Sequence, residues 1–129
     1  MKILQRVMYV EDETDIQAVV KLALEMFGGF TVITCSSGQE ALQQVVAFAP
    51  DLILLDVMMP GMDGPTTLQK LRQLPGLAAT PVVFITAKVQ PQEVEHLKLL
   101  GALDVIAKPF EPTALVDKLQ TIFAKGKSG

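Results

Sequence analysis

The chain has 129 residues, half of them hydrophobic, and a formal net charge of −3. That length builds one domain around one core. No apolar run nears the 18 or so residues of a membrane helix, and the lack of a basic cluster before the last few residues argues against nucleic-acid binding by this domain.

The single cysteine, Cys35, excludes an intramolecular disulfide. Met1-Lys2 leads straight into a strand-like segment, which predicts no signal peptide and a reducing, cytoplasmic setting. Arg6 to Val10 is a short β-rich run, the first strand. Ile16, Val19, Val20, Ala23, Leu24 and Phe27 then recur at the spacing of one helical face, with Thr14 and Gln17 as a capping box and Gly28-Gly29 as the stop. Phe30 to Thr34 is the second strand. Ser37 and Glu40 form a capping box for a second helix, which presents Ala41, Leu42, Val45, Val46 and Ala49 and stops at Pro50. Leu52 to Val57 is the third strand, apolar enough to be buried on both faces. Leu68, Leu71 and Leu74 mark a third helix, capped by Asp63 and ended by Pro75-Gly76. Pro81 to Thr86 is the fourth strand, and Pro91 suits the first turn of a fourth helix with Val94, Leu97 and Leu100. Val105 to Ala107 is the fifth strand. Pro112 opens a fifth helix carrying Leu115, Val116, Leu119, Ile122 and Phe123.

Five βα units in succession predict an α/β fold, an open five-stranded parallel sheet doubly wound by helices on both faces. A closed eight-unit barrel would need about 250 residues. The single domain spans residues 1–129, with a core over about 5–124 and a polar, frayed tail from Lys125 to Gly129. Ligands of open parallel sheets bind outside the carboxyl ends of the strands. The strand-ending residues are therefore the ones to read.

Strand one ends in Glu11-Asp12-Glu13, strand three in Asp56, strand four in Thr86-Ala87-Lys88 and strand five in Lys108-Pro109. A buried carboxylate such as Asp56 is tolerable only where something pairs with it. Two like charges about 4 Å apart repel by roughly 4 kcal/mol at an effective dielectric near 20, so clustered acids need a cation. Lys108 is one, and a single ammonium cannot balance three carboxylates. Oxygen ligands favour Mg²⁺ or a similar hard ion. Held beside Mg²⁺ and Lys108, Asp56 can attack an activated phosphoryl group and form an acyl phosphate, with Thr86 placed to hydrogen-bond one of its oxygens. Taken singly, these residues have plainer readings. Asp12 fits a helix cap, Thr86 a strand residue, Lys108-Pro109 a turn and Lys88 a solvated charge. Met58, Met59 and Met62 read as apolar filler, Cys35 as an inert thiol and His96 as an exposed surface histidine. Their order at four strand ends is what carries weight.

On those motifs the chain resembles a response-regulator receiver domain of two-component signalling over Arg6 to about Ala124. "YVEDE" is similar to the family's acidic pair, "LLDVMMPGMDG" to its phosphoacceptor loop, "FITA" to its switch hydroxyl and "AKPF" to its lysine motif. The resemblance implies a flavodoxin-like (βα)5 fold with sheet order 2-1-3-4-5. It implies Asp56 as phosphoacceptor and Glu11, Asp12 and Asp56 as Mg²⁺ ligands, directly or through water, with the Met58 carbonyl completing the protein ligation. Thr86 would move toward the phosphate, and Lys108, before a cis Pro109, would be its charge partner. The implied role is a switch that promotes only its own phosphorylation and dephosphorylation. Its phosphoryl group would come from a histidine kinase or a histidine phosphotransfer protein, and it would act on a downstream target protein through protein–protein contacts. No membrane or nucleic-acid partner is implied, and a weak homodimer is left open.

Two departures qualify the resemblance, and two features argue against its rivals. Val105 stands where the family usually has an aromatic residue, so any switch is expected to run through Thr86, the loop after strand four and helix four, whose apolar stripe is the thinnest of the five. Leu103 replaces an acid typical of the DNA-binding branch, which argues against a transcription-factor fragment, and a start at Met1 with an end soon after helix five leads us to expect a stand-alone regulator over a receiver taken from a larger regulator or hybrid kinase. Met58 also stands where an aspartyl phosphatase of the haloacid-dehalogenase type carries its second acid, and Glu11-Asp12-Glu13 would repel the phosphate of a flavodoxin-type cofactor.

Overall fold

The computed structural model describes residues 3–128. Met1, Lys2 and Gly129 lie outside them, and so does the reading of the first two residues. Five strands, β1 (Arg6–Val10), β2 (Thr31–Cys35), β3 (Leu52–Asp56), β4 (Val82–Thr86) and β5 (Asp104–Ala107), alternate with five helices. These are α1 (Thr14–Gly28), α2 (Gly38–Phe48), α3 (Gly64–Leu71), α4 (Pro91–Leu99) and α5 (Pro112–Ser128). The strands form one parallel sheet in the order β2-β1-β3-β4-β5. This is the predicted fold class.

Side chains along a strand alternate between the two faces of the sheet, and here both faces are covered. Val7, Tyr9, Leu52, Leu54, Val83, Ile85 and Ile106 pack with Val20 and Leu24 of α1 and with Leu115, Leu119 and Phe123 of α5. Met8, Val10, Ile53, Leu55, Val82 and Phe84 pack on the other side with Ala41 and Val45 of α2, Leu68 and Leu71 of α3, and Leu97 of α4. Two-sided burial is why β3 and β4 read as unbroken apolar runs instead of alternating ones. At the far end of the sheet from the acidic residues, Asp51 Oδ2 accepts the amides of Gln5 and Arg6 at 3.1 and 2.9 Å. That contact ties the starts of β1 and β3 and helps hold the register of the two central strands.

Two predicted caps are present: Ser37 Oγ accepts the Glu40 amide at 3.0 Å, and Asp63 Oδ1 accepts the Thr66 amide at 2.9 Å. Four expectations need correction. The Thr14–Gln17 capping box does not form; Glu13 is the N-cap of α1 without a side-chain hydrogen bond, and Gln17 turns inward. Val19 and Phe27 are 55% and 63% exposed, because the buried face of α1 is Gln17, Val20, Ala23 and Leu24 and the apolar stripe is wider than the sheet can cover. α3 ends at Leu71, short of Leu74. Residues 125–128 continue α5 and are not a frayed tail. Gly126 lies so close to Leu103 that a Cβ there would stand 2.9 Å from its δ-carbons, so the end of α5 docks on the domain.

Cys35 ends β2 fully buried. Burial, with the nearby Glu40 charge, pushes its thiol up to about 12. The thiolate is the reactive species, so native Cys35 is expected to stay unlabelled by a disulfide reagent at pH 8 and to react once urea unfolds the chain. Because this shift favours proton binding in the folded state, its contribution to stability is complete below the thiol's unfolded value and is lost as pH rises toward 12. Rapid labelling of the native protein would contradict both statements.

Candidate functional site

The period of two carries Tyr9 to Glu11, Leu54 to Asp56 and Ile106 to Lys108 on one side of the sheet. β1 and β3 are paired with Val10 opposite Leu55, so the next residues of each, Glu11 and Asp56, come level at the carboxyl edge. Local pattern and register together thus place two acids and a lysine that are far apart in the chain at one rim. Lys108 Nζ donates to Glu11 Oε1 at 2.9 Å and to Asp56 Oδ2 at 2.9 Å. Glu11 is fully buried and Asp56 nearly so, while the Lys108 side chain keeps some solvent contact.

Burial alone would pull the Lys108 ammonium down. Its hydrogen bonds to Glu11 and Asp56, with their charges, outweigh that and leave it raised above its ordinary value. Asp56 Oδ1 accepts the Met58 amide at 3.3 Å, so the carboxylate is held by a backbone donor on one oxygen and an ammonium on the other. Asp12 is half-buried beside them. Glu11, Asp12 and Asp56 each offer a carboxylate oxygen, and these oxygens lie within 4.8 Å of one another. Three carboxylates against one ammonium leave a net negative, all-oxygen site, the donor chemistry that suits a hard divalent cation such as Mg²⁺. The residues present fit that ion.

Other predicted residues stand at the same edge without joining this network. Thr86 is buried at the end of β4, and its hydroxyl accepts the Lys88 amide at 3.1 Å. The Thr86 carbonyl accepts the Lys108 amide at 2.9 Å, while among the described residues no hydrogen bond runs from the Thr86 hydroxyl to the Asp56 carboxylate or the Lys108 ammonium. Lys88 is exposed, and Met58 directs an exposed side chain away from the core. His96 is exposed on α4, and Met59 is buried, both as expected. The Lys108-Pro109 bond is cis.

Three features escaped the sequence reading. Gln17 sits buried between two loops, its Nε2 donating to the Glu11 carbonyl, to the Cys35 carbonyl at 3.2 Å and to Ser36 Oγ at 3.1 Å. It clasps the loop bearing the acidic pair to the loop after β2. Tyr9 OH donates to Glu11 Oε1 at 3.4 Å; burial foremost, then the charges of Glu11 and Asp56, holds the phenol above its ordinary range, so it remains a donor. Finally, an open groove of about 580 Å³, lined by Ile16, Val19, Val20, Pro109 and Phe110, borders Glu13 and Lys108. A polar residue within an apolar helical face and a tyrosine in an aliphatic strand were the available signals for the first two.

The family model for the response regulator receiver domain matches residues 7–120. The alkaline phosphatase synthesis transcriptional regulatory protein PhoP of Bacillus subtilis is 34% identical over 123 residues, 95% of this chain and 50% of that protein. The phosphate regulon transcriptional regulatory protein PhoB of Pseudomonas aeruginosa is 33% identical over 124 residues, 95% of this chain and 53% of that one. Among solved structures, the Vibrio cholerae chemotaxis protein CheY4 superposes with a TM-score of 0.85 at 30% identity, covering 92% of this chain and 98% of that one. The chain spans about half the length of the curated relatives it matches.

Proposed function

The chain belongs to the response regulator receiver domain family, and from that premise we propose that it is a phosphorylation-dependent signalling switch with Asp56 as its acceptor. The observation that supports this most is the single rim where Asp56 meets Glu11, Asp12 and Lys108. The donor is a phosphohistidine of a kinase or phosphotransfer protein. A carboxylate oxygen of Asp56 bonds to phosphorus as the phosphorus–nitrogen bond breaks, and the imidazole leaves with the electron pair. Glu11, Asp12 and Asp56, with the Met58 carbonyl, would hold Mg²⁺, which when bound offsets the charge on the phosphoryl oxygens.

Lys108, already 2.9 Å from Asp56 Oδ2, transfers its contact from the carboxylate to the new phosphoryl group. The Lys88 amide occupies a lone pair of the Thr86 hydroxyl, which leaves that hydroxyl's proton free to donate to a phosphoryl oxygen. The added charge of about −2 then biases a two-state equilibrium; moving it from 1:99 to 99:1 takes about 5.5 kcal/mol. α4 buries Leu97 alone among its residues, and we assign the movement to it and to the loop from Thr86. The histidine-bearing partner sits on the apolar groove beside Lys108, where exposed Val19, Leu22 and Met26 extend the contact surface along α1.

Output runs through contacts with a downstream protein. A second reading, that this is the receiver part of a longer regulator, is favoured by one observation: the curated relatives are about twice as long as the matched region. In either setting the chemistry at Asp56 is the same. Incubation with acetyl phosphate, followed by intact mass, is expected to add one phosphoryl group when Mg²⁺ is present and none when it is chelated. A folded chain that never gains the adduct, from acetyl phosphate or from a phosphorylated histidine kinase, would end this reading.

A further inference from the structure

We infer that Tyr9 is a positioning residue of the acidic site, its phenol holding the Glu11 carboxylate from beneath in the orientation that the cation site and Lys108 share. This rests on the reading of Glu11 and Asp12 as cation ligands. Tyr9 lies in β1 among Val7, Val20, Leu24, Leu54 and Ile85, where Phe would fill the same space without bringing a polar atom into the core. Tyr9 is fully buried, and a buried hydroxyl has to find an acceptor. Among the described residues it has one, Glu11 Oε1 at 3.4 Å.

That oxygen also takes Lys108 Nζ at 2.9 Å, and the same ammonium reaches Asp56 Oδ2 at 2.9 Å. The phenol therefore heads a chain that runs Tyr9, Glu11, Lys108, Asp56. Two donors on Oε1 fix the plane of the Glu11 carboxylate. They leave Oε2, met by the Glu13 amide at 3.3 Å, as its less committed oxygen. A group that orients one ligand from behind sets how much of the site is organised before the ion arrives. Tyr9 touches no substrate; it acts through Glu11.

The composition makes the test clean, because Tyr9 is the sole tyrosine and the chain has no tryptophan. Titration of the unphosphorylated 129-residue chain with MgCl2 should give a tyrosine ultraviolet difference spectrum that saturates with the binding isotherm from calorimetry. Tyr9→Phe should weaken Mn²⁺ binding, read by paramagnetic resonance, about three- to tenfold, the worth of one hydrogen bond. In a Glu11→Ala background the same change should have almost no effect, since the group it acts through is gone. A merely structural role would lower the unfolding midpoint and leave the affinity and the spectrum unmoved. A silent spectrum at saturating Mg²⁺, or an unchanged affinity in Tyr9→Phe, overturns the inference and leaves the acidic site standing. Absence of cation binding in the wild type overturns both. Should Tyr9→Phe fail to fold, the wild-type difference spectrum decides alone.

Discussion

Asp56→Asn is expected to gain no phosphoryl adduct under conditions that label the wild type to one equivalent, with folding retained. The amide matches the carboxylate in shape, and its one oxygen can still accept from either Lys108 or the Met58 amide, the two donors that hold the separate oxygens of Asp56 at 2.9 and 3.3 Å. What it lacks is the anionic oxygen. A neutral amide is a poor nucleophile toward phosphorus, and no base near it can restore the charge. Removing that charge also leaves Glu11 as the remaining carboxylate partner of Lys108, so the cation site loses one of its three acids. Intact mass reads the adduct and urea unfolding reads the fold. An adduct formed at the wild-type rate on Asp56→Asn would move the acceptor elsewhere, with Glu11 and Asp12 the first residues to check by peptide mapping.

Gly64→Ala is expected to cost about 3 kcal/mol of folding stability, or to displace the loop that follows Asp56. A Cβ at Gly64 would stand 2.5 Å from the Asp56 carbonyl oxygen, 2.9 Å from Val57 Cα and 3.0 Å from the Phe84 ring. Two of these are backbone atoms of Asp56 and Val57, and backbone cannot swing aside as the end of a flexible side chain can. The Gly64 amide also donates to the Val57 carbonyl at 2.9 Å, so the start of α3 is pinned against the end of β3. Clash and function are therefore coupled. The urea midpoint should fall with little change in slope, and acetyl-phosphate labelling should slow if the loop yields. A variant as stable as the wild type, labelling at the same rate, would show that the close approach is not required.

Much of this site was legible in order of residues alone. Asp56 drew attention because a carboxylate ended an unbroken apolar run, and Glu11, Thr86 and Lys108 because they ended other strands. What the pattern did not disclose was how they connect. Lys108 joins residues 97 and 52 positions away, a contact that depends on strand order and register. α1 illustrates the same limit from the apolar side. Its stripe of Ile16, Val19, Val20, Ala23, Leu24 and Phe27 is helical in period, yet Val19 and Phe27 lie in solvent while polar Gln17 is inside. Periodicity says which residues share a helical face and is silent on what covers that face.

By itself, then, the sequence determined the five βα units, the burial of the sheet on both sides and the identity of the residues at the strand ends, since each is a local property of a few neighbouring side chains. Tertiary structure alone decided that Lys108 bridges Glu11 and Asp56, that the Tyr9 phenol lies beneath Glu11, that Gln17 clasps two loops, and that no Cβ fits at Gly64. These depend on which strands lie side by side and in what register. Distances between groups remote in the chain arise only when the hydrophobic sheet closes and brings its carboxyl edge together.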